Sequence, residues 1–123
     1  MKTPLTFLLS LTFLFLFSGS VYGDDYQDGL DAYVRKDYKE AIKWYRLSAE
    51  QGNARAQFWL GVMYSNGQGV LQDYVLAHMW FNLSGSNGNK NAVFNRDIVE
   101  KRMTPSQIEK ALDMARNWKP TKK

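Results

Sequence analysis

Apolar and polar positions follow a helical period through most of the chain after residue 24. Between positions 38 and 52, one set of residues recurs at steps of three and four, and the charged side chains take the other directions; the set is Ala41, Trp44, Tyr45, Ser48 and Gly52. This spacing predicts an amphipathic α-helix with one buried stripe. Segments 25–35, 54–65 and 91–102 carry similar stripes, and no segment has the alternation that is typical of a strand.

Residues that favour helix ends bracket two of these segments. Asp37 and Asp73 stand where N-caps are expected, and Glu40 is spaced to complete a capping box with Asp37. Gly52 and Gly88 supply left-handed stops at the other ends. The same kind of helix is therefore predicted twice, once before each of these glycines.

The carboxyl-terminal part predicts one more pair of helices. The run Thr-Pro-Ser-Gln at 104–107 combines a threonine cap, a proline at the first helical position and a glutamine that closes a capping box. Residues 90–119 are thus expected to form a terminal capping helix pair, followed by a short basic tail at 120–123. The whole pattern predicts an all-α fold of six helices in about three antiparallel pairs.

The chain contains an internal repeat. The segment WYRLSAEQGN at 44–53 returns as WFNLSGSNGN at 80–89, which is 36 positions later. With this offset, nine of the twenty positions from 37 to 56 are identical, whereas roughly one identity is expected from ordinary residue usage. The repeated Trp44 and Trp80 are both predicted to lie in the core, so that truncating either is expected to cost about 3 kcal/mol or more.

The repeat divides the chain into units. Residues 54–89 form a complete unit of two helices, and residues 24–53 form a shortened unit when Gly29 is matched to Gly61. That match requires the first unit to lack four residues of the loop. Because one helix pair cannot bury its own apolar stripe, neighbouring units are expected to stack.

The complete unit resembles a known family. Its pattern combines small residues, glycines and aromatics at fixed spacing; the matching residues are Ala56, Leu60, Gly61, Tyr64, Gly67, Gly69, Val70, Asp73, Ala77, Trp80 and Gly88. This pattern is similar to the Sel-one-like repeat, a relative of the tetratricopeptide repeat with a slightly longer unit. The resemblance implies a short right-handed α-solenoid whose concave face is lined by the leading helix of each pair. It also implies a non-enzymatic adaptor for other proteins.

The amino terminus is typical of a secretory signal peptide. Residues 1–23 contain Lys2, an apolar run from 5 to 17, and small and polar residues before the expected cleavage after Gly23, with Ser20 as the alternative point. The run is short for a membrane span, so no stable span is expected after cleavage. The chain is therefore predicted to be exported, either to the periplasm or into the medium.

Composition and charge exclude several classes of function. The chain has no cysteine, which removes disulfides, thiol catalysis and thiolate metal sites. Its net charge is only +4, with acidic residues crowded at 24–31 and basic residues between 35 and 46. This asymmetry is compatible either with a solvated helix face or with orientation of a partner. No nucleic-acid partner is predicted, because the aromatic residues near the basic ones lie on the buried stripe.

Candidate catalytic residues are few. His78 is the only histidine, and it occupies the position of Ile42 in the first unit, so a half-buried or surface location is expected. A carboxylate pair for glycoside hydrolysis would need acids of the first helix to face Asp97 or Glu100, and nothing in their spacing indicates it; the acids are Asp25, Asp28 and Asp31. We therefore predict no catalytic residues, no metal site and no cofactor.

Binding of a protein or peptide is the predicted function. Arg55, Trp59 and Val62 lie off the buried stripe of their helix, on the side expected to face the concavity, and Tyr26 and Gln27 are the corresponding residues of the first unit. Trp59 has two interpretations, as an anchor for a partner or as packing between neighbouring leading helices. The alternatives to an exported adaptor are self-association and a regulator of, or enzyme acting on, cell-envelope components.

Overall fold

The computed structural model describes residues 25–121, which form six α-helices and no strand. The helices are α1 (Asp25–Val34), α2 (Tyr38–Glu50), α3 (Ala54–Asn66), α4 (Tyr74–Ser86), α5 (Lys90–Glu100) and α6 (Pro105–Asn117). The all-α prediction is thus confirmed. The predicted signal peptide and the last two residues of the basic tail lie outside the described residues. Within the described part, no helix is both long and apolar enough to span a bilayer.

Side-chain caps start five of the helices. Each cap accepts a hydrogen bond from the backbone N–H three residues later; the capping residues are Asp37, Asn53, Asp73, Asn89 and Thr104. Thr104 also forms the predicted capping box, because the Gln107 side chain accepts from its backbone N–H. The helix starts predicted at Asp37, Asp73 and Thr104 are confirmed, and the caps at Asn53 and Asn89 were not predicted.

The predicted capping box of α2 is wrong in one respect. The Asp37 backbone N–H already donates to the Ala32 carbonyl at 2.9 Å, so it has no need of a side-chain acceptor. The Glu40 carboxylate instead accepts from the indole N–H of Trp44 at 2.9 Å. The cap therefore depends on Asp37 alone.

The repeat is reproduced by equivalent contacts in the first two units. The Gly61 backbone lies so close to the Phe81 ring that an added Cβ would stand 2.5 Å from it. In the first unit, a Cβ on Gly29 would stand 2.7 Å from the Tyr45 ring. These are the residues that the sequence match pairs, so the two matched glycines have equivalent packing. In each case a glycine lets the leading helix approach an aromatic ring of the trailing helix.

A second set of equivalent contacts is polar. The Asn87 amide donates to Gln57 Oε1 at 3.0 Å, and the Gln51 amide donates to Asp25 Oδ2 at 3.5 Å. Gln57 is fully buried, and its own amide donates to the Ala49 carbonyl at 3.1 Å. This hydrogen bond joins α3 to the end of α2, and it satisfies a buried amide that would otherwise be costly.

The two units differ in the loop between their helices. The complete unit has Gly69 with φ +73°, and an added Cβ there would lie 2.6 Å from the Tyr38 carbonyl oxygen at the start of α2. The first unit replaces this loop with a tight turn at 35–37, in which Lys36 adopts a φ of 64°. The longer loop of the complete unit thus packs against the start of α2 in the first unit.

Trp44 and Trp80 have different surroundings although they are equivalent in sequence. Trp80 is buried in the core and meets the Trp118 ring edge-on, with a centroid distance of 6.2 Å. Trp44 is only partly buried and is absent from the core clusters, with the Lys43 ammonium 5.8 Å from its ring centroid. The prediction of a core role for Trp44 is therefore wrong. Helix α6 covers Trp80, whereas α2 makes its main helix contacts with α1 and α3, so Trp44 is only partly covered.

The last two helices differ from the expected antiparallel pair. Helix α5 packs against α4 and α3, whereas α6 packs against α4 and makes few contacts with α5. The apolar stripe of α6 explains this arrangement, because Ala115, Met114 and Trp118 join the core cluster that includes Met79 and Trp80 of α4. After α6, the Thr121 N–H donates to the Glu50 carbonyl at 2.7 Å.

Candidate partner-binding groove

Two adjoining cavities form a groove between α3 and α5, which are the leading helices of the second and third units. The cavities measure about 420 and 210 Å³, and they share Ser65, Asn66, Ile98 and Val99 in their walls. We call them together the α3/α5 groove. Its other lining residues are Val62, Phe81, Gln72, Tyr74, Asn95 and Arg102. The larger cavity alone lies within the range of roughly 300–1,000 Å³ that is usual for ligand sites.

The packing of α5 sets the orientation of the groove walls. Ala92 and Val99 are buried against Ala77 and Phe81 of α4, which fixes one face of α5 toward the core. Ile98 follows on the adjacent face and remains 44% exposed. The aliphatic side chain of Ile98 thus lines an open groove and is not part of the buried core.

Hydrogen bonds hold the opposite wall. The Gln72 amide donates to the Ser65 carbonyl at 2.8 Å and to the Tyr74 hydroxyl at 3.2 Å. These bonds attach the loop before α4 to the end of α3. The side-chain carbonyl oxygens of Gln72 and Asn66 accept no hydrogen bond from the described residues, so they are available to a ligand.

The structure divides the predicted binding residues between two places. Val62 lines the α3/α5 groove. Tyr26, Gln27 and Arg55 lie outside it, with the Arg55 guanidinium 6.0 Å from the Tyr26 ring centroid and the Gln27 amide donating to Asp31 at 3.0 Å. Tyr26 and Gln27 lie on α1, and Arg55 of α3 contacts Tyr26, so these three side chains do not extend the groove.

Trp59 packs between helices, which is the second of its two interpretations. Its ring lies 4.8 Å from the Tyr33 ring, 6.1 Å from the Tyr45 ring and 5.5 Å from the Phe58 ring, measured between centroids. The side chain is partly buried against the core. Truncating Trp59 would therefore remove packing contacts, and a loss of binding in that variant would not identify an anchor.

Sequence reasoning missed most of the groove. Ile98 carried a usable signal, because it is an apolar residue that lies off the stripe formed by Ala92 and Val99. Arg102 and Gln72 carried none, since each comes from a connecting segment on a different side of the groove. Their proximity depends on how α5 docks on the second unit.

His78 is fully buried, so its predicted half-buried or surface location is wrong. Its Nε2 lies 2.8 Å from Glu100 Oε1, and its Nδ1 has no hydrogen-bond partner among the described residues. The docking of α5 covers this side of α4. The equivalent Ile42 is buried as well, at 6% exposed, so this helix position is a core position in both units. Across residues 25–121, no group of three potential ligands is placed to hold a metal ion.

The acidic residues considered for glycoside hydrolysis are not brought together. Asp97 pairs with Arg96 at 3.2 Å, and Glu100 is bonded to His78. Helix α1, which carries the other acids, is not among the helices that α5 packs against.

A larger cavity of about 560 Å³ lies between α4 and α6, but its lining argues against a binding site. It is a shallow depression with Glu109, Lys110 and Asp113 on its rim. Its apolar walls, Met114 and Trp118, already pack against the core. The α3/α5 groove, by contrast, has a single charged residue in its lining.

Tyr45 carries a buried hydroxyl without a hydrogen-bond partner among residues 25–121. Burial raises the pKa of Tyr45 well above its usual value, and Tyr26, Tyr33 and Asp31 add to the effect. The equivalent residue of the second unit is Phe81, which needs no partner.

Tyr45→Phe is expected to raise the free energy of unfolding by about 1 kcal/mol, because it removes an unsatisfied buried hydroxyl. Because the folded pKa lies above the unfolded value of about 10, the stability due to neutral Tyr45 is complete below that pH and is lost above it. Between pH 9 and pH 11, the variant should therefore lose less free energy of unfolding than the original protein does, as measured by urea titration. Tyr64→Phe is the control, since its hydroxyl accepts from Arg46 at 2.8 Å and its removal should not stabilise. A destabilised Tyr45→Phe protein would contradict this explanation.

The family model described as Sel1 repeat matches residues 22–53 and 54–89, which together are more than half of the chain. The chain belongs to the Sel1 repeat family. The resemblance inferred from the residues of the complete unit is thereby confirmed, and the Sel1 repeat fold supports a protein-interaction module in general terms.

A solved structure that is similar covers most of this Sel1 repeat protein. It is the crystal structure of a protective antigen that is present in uropathogenic Escherichia coli strains and displays an SLR fold. The two chains are 35% identical with a TM-score of 0.72, and the match covers 76% of this chain but 21% of the antigen. This chain thus spans about a fifth of that protein's length. No curated protein matches the chain.

Proposed function

We propose that this Sel1 repeat protein is an adaptor that binds a peptide or a single helix in the α3/α5 groove, on the concave side of the solenoid. The main support is the exposure of Ile98, an aliphatic residue in the wall of a groove between two leading helices that remains 44% exposed. Val62 and Phe81 extend the apolar surface beside it. Such a surface, bordered by amides, suits an extended segment with one or two apolar side chains.

We also propose that the chain is exported. The support is the apolar run at 5–17 and the small residues that follow it. The Sel1 repeat match begins at residue 22, so cleavage after Ser20 would keep the first unit whole, whereas cleavage after Gly23 would remove its first two residues. The mass of the mature protein distinguishes the two cleavage points, and a mature protein that retains residues 1–20 would contradict export by this signal.

The groove is tested with Ile98→Ser. We expect the purified protein to bind a subset of peptides on an array of mixed 15-residue sequences, and Ile98→Ser to weaken that binding about tenfold through lost apolar burial. Isothermal titration with the synthesised peptides measures the change. Because Ile98 is largely solvent-exposed on one side, the variant should retain its helical circular dichroism.

Leu112→Ser is the matched control. Leu112 is 37% exposed on α6 and does not line the groove, so its replacement removes a similar aliphatic surface elsewhere. Peptide affinity should be unchanged in this variant. Equal losses of peptide affinity in both variants would contradict the assignment of the groove. So would peptides that bind Ile98→Ser as tightly as they bind the original protein.

A further inference from the structure

Arg102 is the only charged residue that lines the α3/α5 groove. Its side chain is exposed, and no hydrogen bond or ion pair joins its guanidinium to another described residue. Two other arginines donate hydrogen bonds to side chains, Arg96 to Asn82 at 2.9 Å and Arg46 to Tyr64 at 2.8 Å. The groove therefore ends at a guanidinium that no described side chain neutralises.

The nearest acidic groups on α5 have other partners. Asp97 accepts from Arg96, and Glu100 is bonded to the buried His78. Lys101, which is exposed beside Arg102, adds a second positive charge at this end of the helix. The local charge thus favours an anionic ligand group close to the apolar wall formed by Ile98 and Val99.

We propose that the groove recognises a peptide in which a carboxylate lies next to an apolar side chain, and that Arg102 binds the carboxylate. The inference rests on the proposed peptide-binding function and names the chemistry of the partner. The planar guanidinium suits a carboxylate because it presents two parallel N–H donors. The apolar side chain lies against Ile98, and the free side-chain carbonyl oxygens of Asn66 and Gln72 accept from the peptide backbone.

The carboxylate has two sources, the chain terminus of a partner or an Asp or Glu side chain. Three pools of fluorescein-labelled hexapeptides separate them. The first ends in Leu with a free carboxylate, the second ends in Leu-amide, and the third is amidated with Glu after the Leu. Fluorescence anisotropy gives the affinity of each pool for the purified protein at low and at moderate salt.

The variants are Arg102→Gln, Arg102→Lys and Lys101→Gln. We expect Arg102→Gln to weaken binding of the preferred carboxylate pool about fivefold, which is the upper end for an exposed ion pair. Its affinity should then equal that of the second pool, which ends in Leu-amide. Arg102→Lys should recover part of the affinity, since it retains charge but not the planar fork. Lys101→Gln removes the same charge one residue away, outside the groove lining, and should have little effect.

The outcomes separate this inference from the function on which it rests. Binding that needs Ile98 but is equal for carboxylate and amide pools, or unchanged in Arg102→Gln, overturns the carboxylate site and keeps the groove. Absence of binding by every pool, while peptides from the array still bind and need Ile98, overturns the carboxylate site alone. Absence of binding by the pools and by the array overturns both. Preference for the first pool assigns a partner's carboxyl terminus, and preference for the third assigns an internal acidic residue.

Discussion

Truncating Trp80 to alanine is expected to lower the free energy of unfolding by about 3–5 kcal/mol, the range for a large aromatic residue in a core. Trp80 is only 7% exposed, belongs to the same core cluster as Met79, and contacts the ring of Trp118 at the end of α6. Its loss would leave a cavity between α4 and α6, which those helices can only partly close. Urea titration followed by far-UV circular dichroism measures the effect without depending on tryptophan fluorescence.

The matched variant is Trp44→Ala, at the equivalent position of the first unit. Trp44 is partly exposed, and its indole hydrogen bond to Glu40 lies within one helix, so we expect a loss of about 1 kcal/mol or less. Equal losses for the two variants would show that Trp44 is covered in the folded protein. They would also contradict the conclusion that α6 is what buries the second tryptophan and leaves the first one open.

The second large effect is expected from Gly61→Ala. Alanine is the better helix former by about 1 kcal/mol, yet we expect the variant to be destabilised by about 1–3 kcal/mol. The added Cβ would stand 2.5 Å from the Phe81 ring, and Phe81 is only 1% exposed, so the ring cannot move aside into solvent. Thermal and urea unfolding of the purified variants provide the measurement.

A double-mutant cycle with Phe81→Leu tests the cause. If the close contact is responsible, Gly61→Ala should cost much less in the Phe81→Leu background, because the smaller side chain leaves room for the methyl group. Additive losses would place the cost elsewhere in α3. Gly29→Ala offers an independent comparison, since its Cβ would stand 2.7 Å from the Tyr45 ring.

Sequence patterns predicted local structure well in this protein. The caps at Asp73 and Thr104 and the left-handed glycines Gly52 and Gly88 depend on a few neighbouring residues, and each was found in place. The match of Gly29 to Gly61 was also reliable, because the repeated glycine and aromatic positions express one packing requirement twice.

Burial was harder to predict where the two units have different neighbours. Trp44 and Trp80 share a sequence position, but only Trp80 lies under α6. His78 and Ile42 share a position as well, and both are buried, whereas a half-buried or surface location was predicted. What differs is the partner, since Glu100 of α5 lies 2.8 Å from His78. A repeated motif specifies a helix face, whereas the exposure of that face depends on the helix that packs on it.

The sequence by itself determined the helices, the period of the repeat and the family, because these follow from spacing and residue type within a unit. Only the tertiary structure decided that α6 packs on α4, that Trp59 lies among aromatic rings, and that Ile98 and Arg102 line one groove with Val62. The physical reason is that these features join segments from different units. Their relative positions depend on how whole helix faces pack, and no local pattern encodes that arrangement.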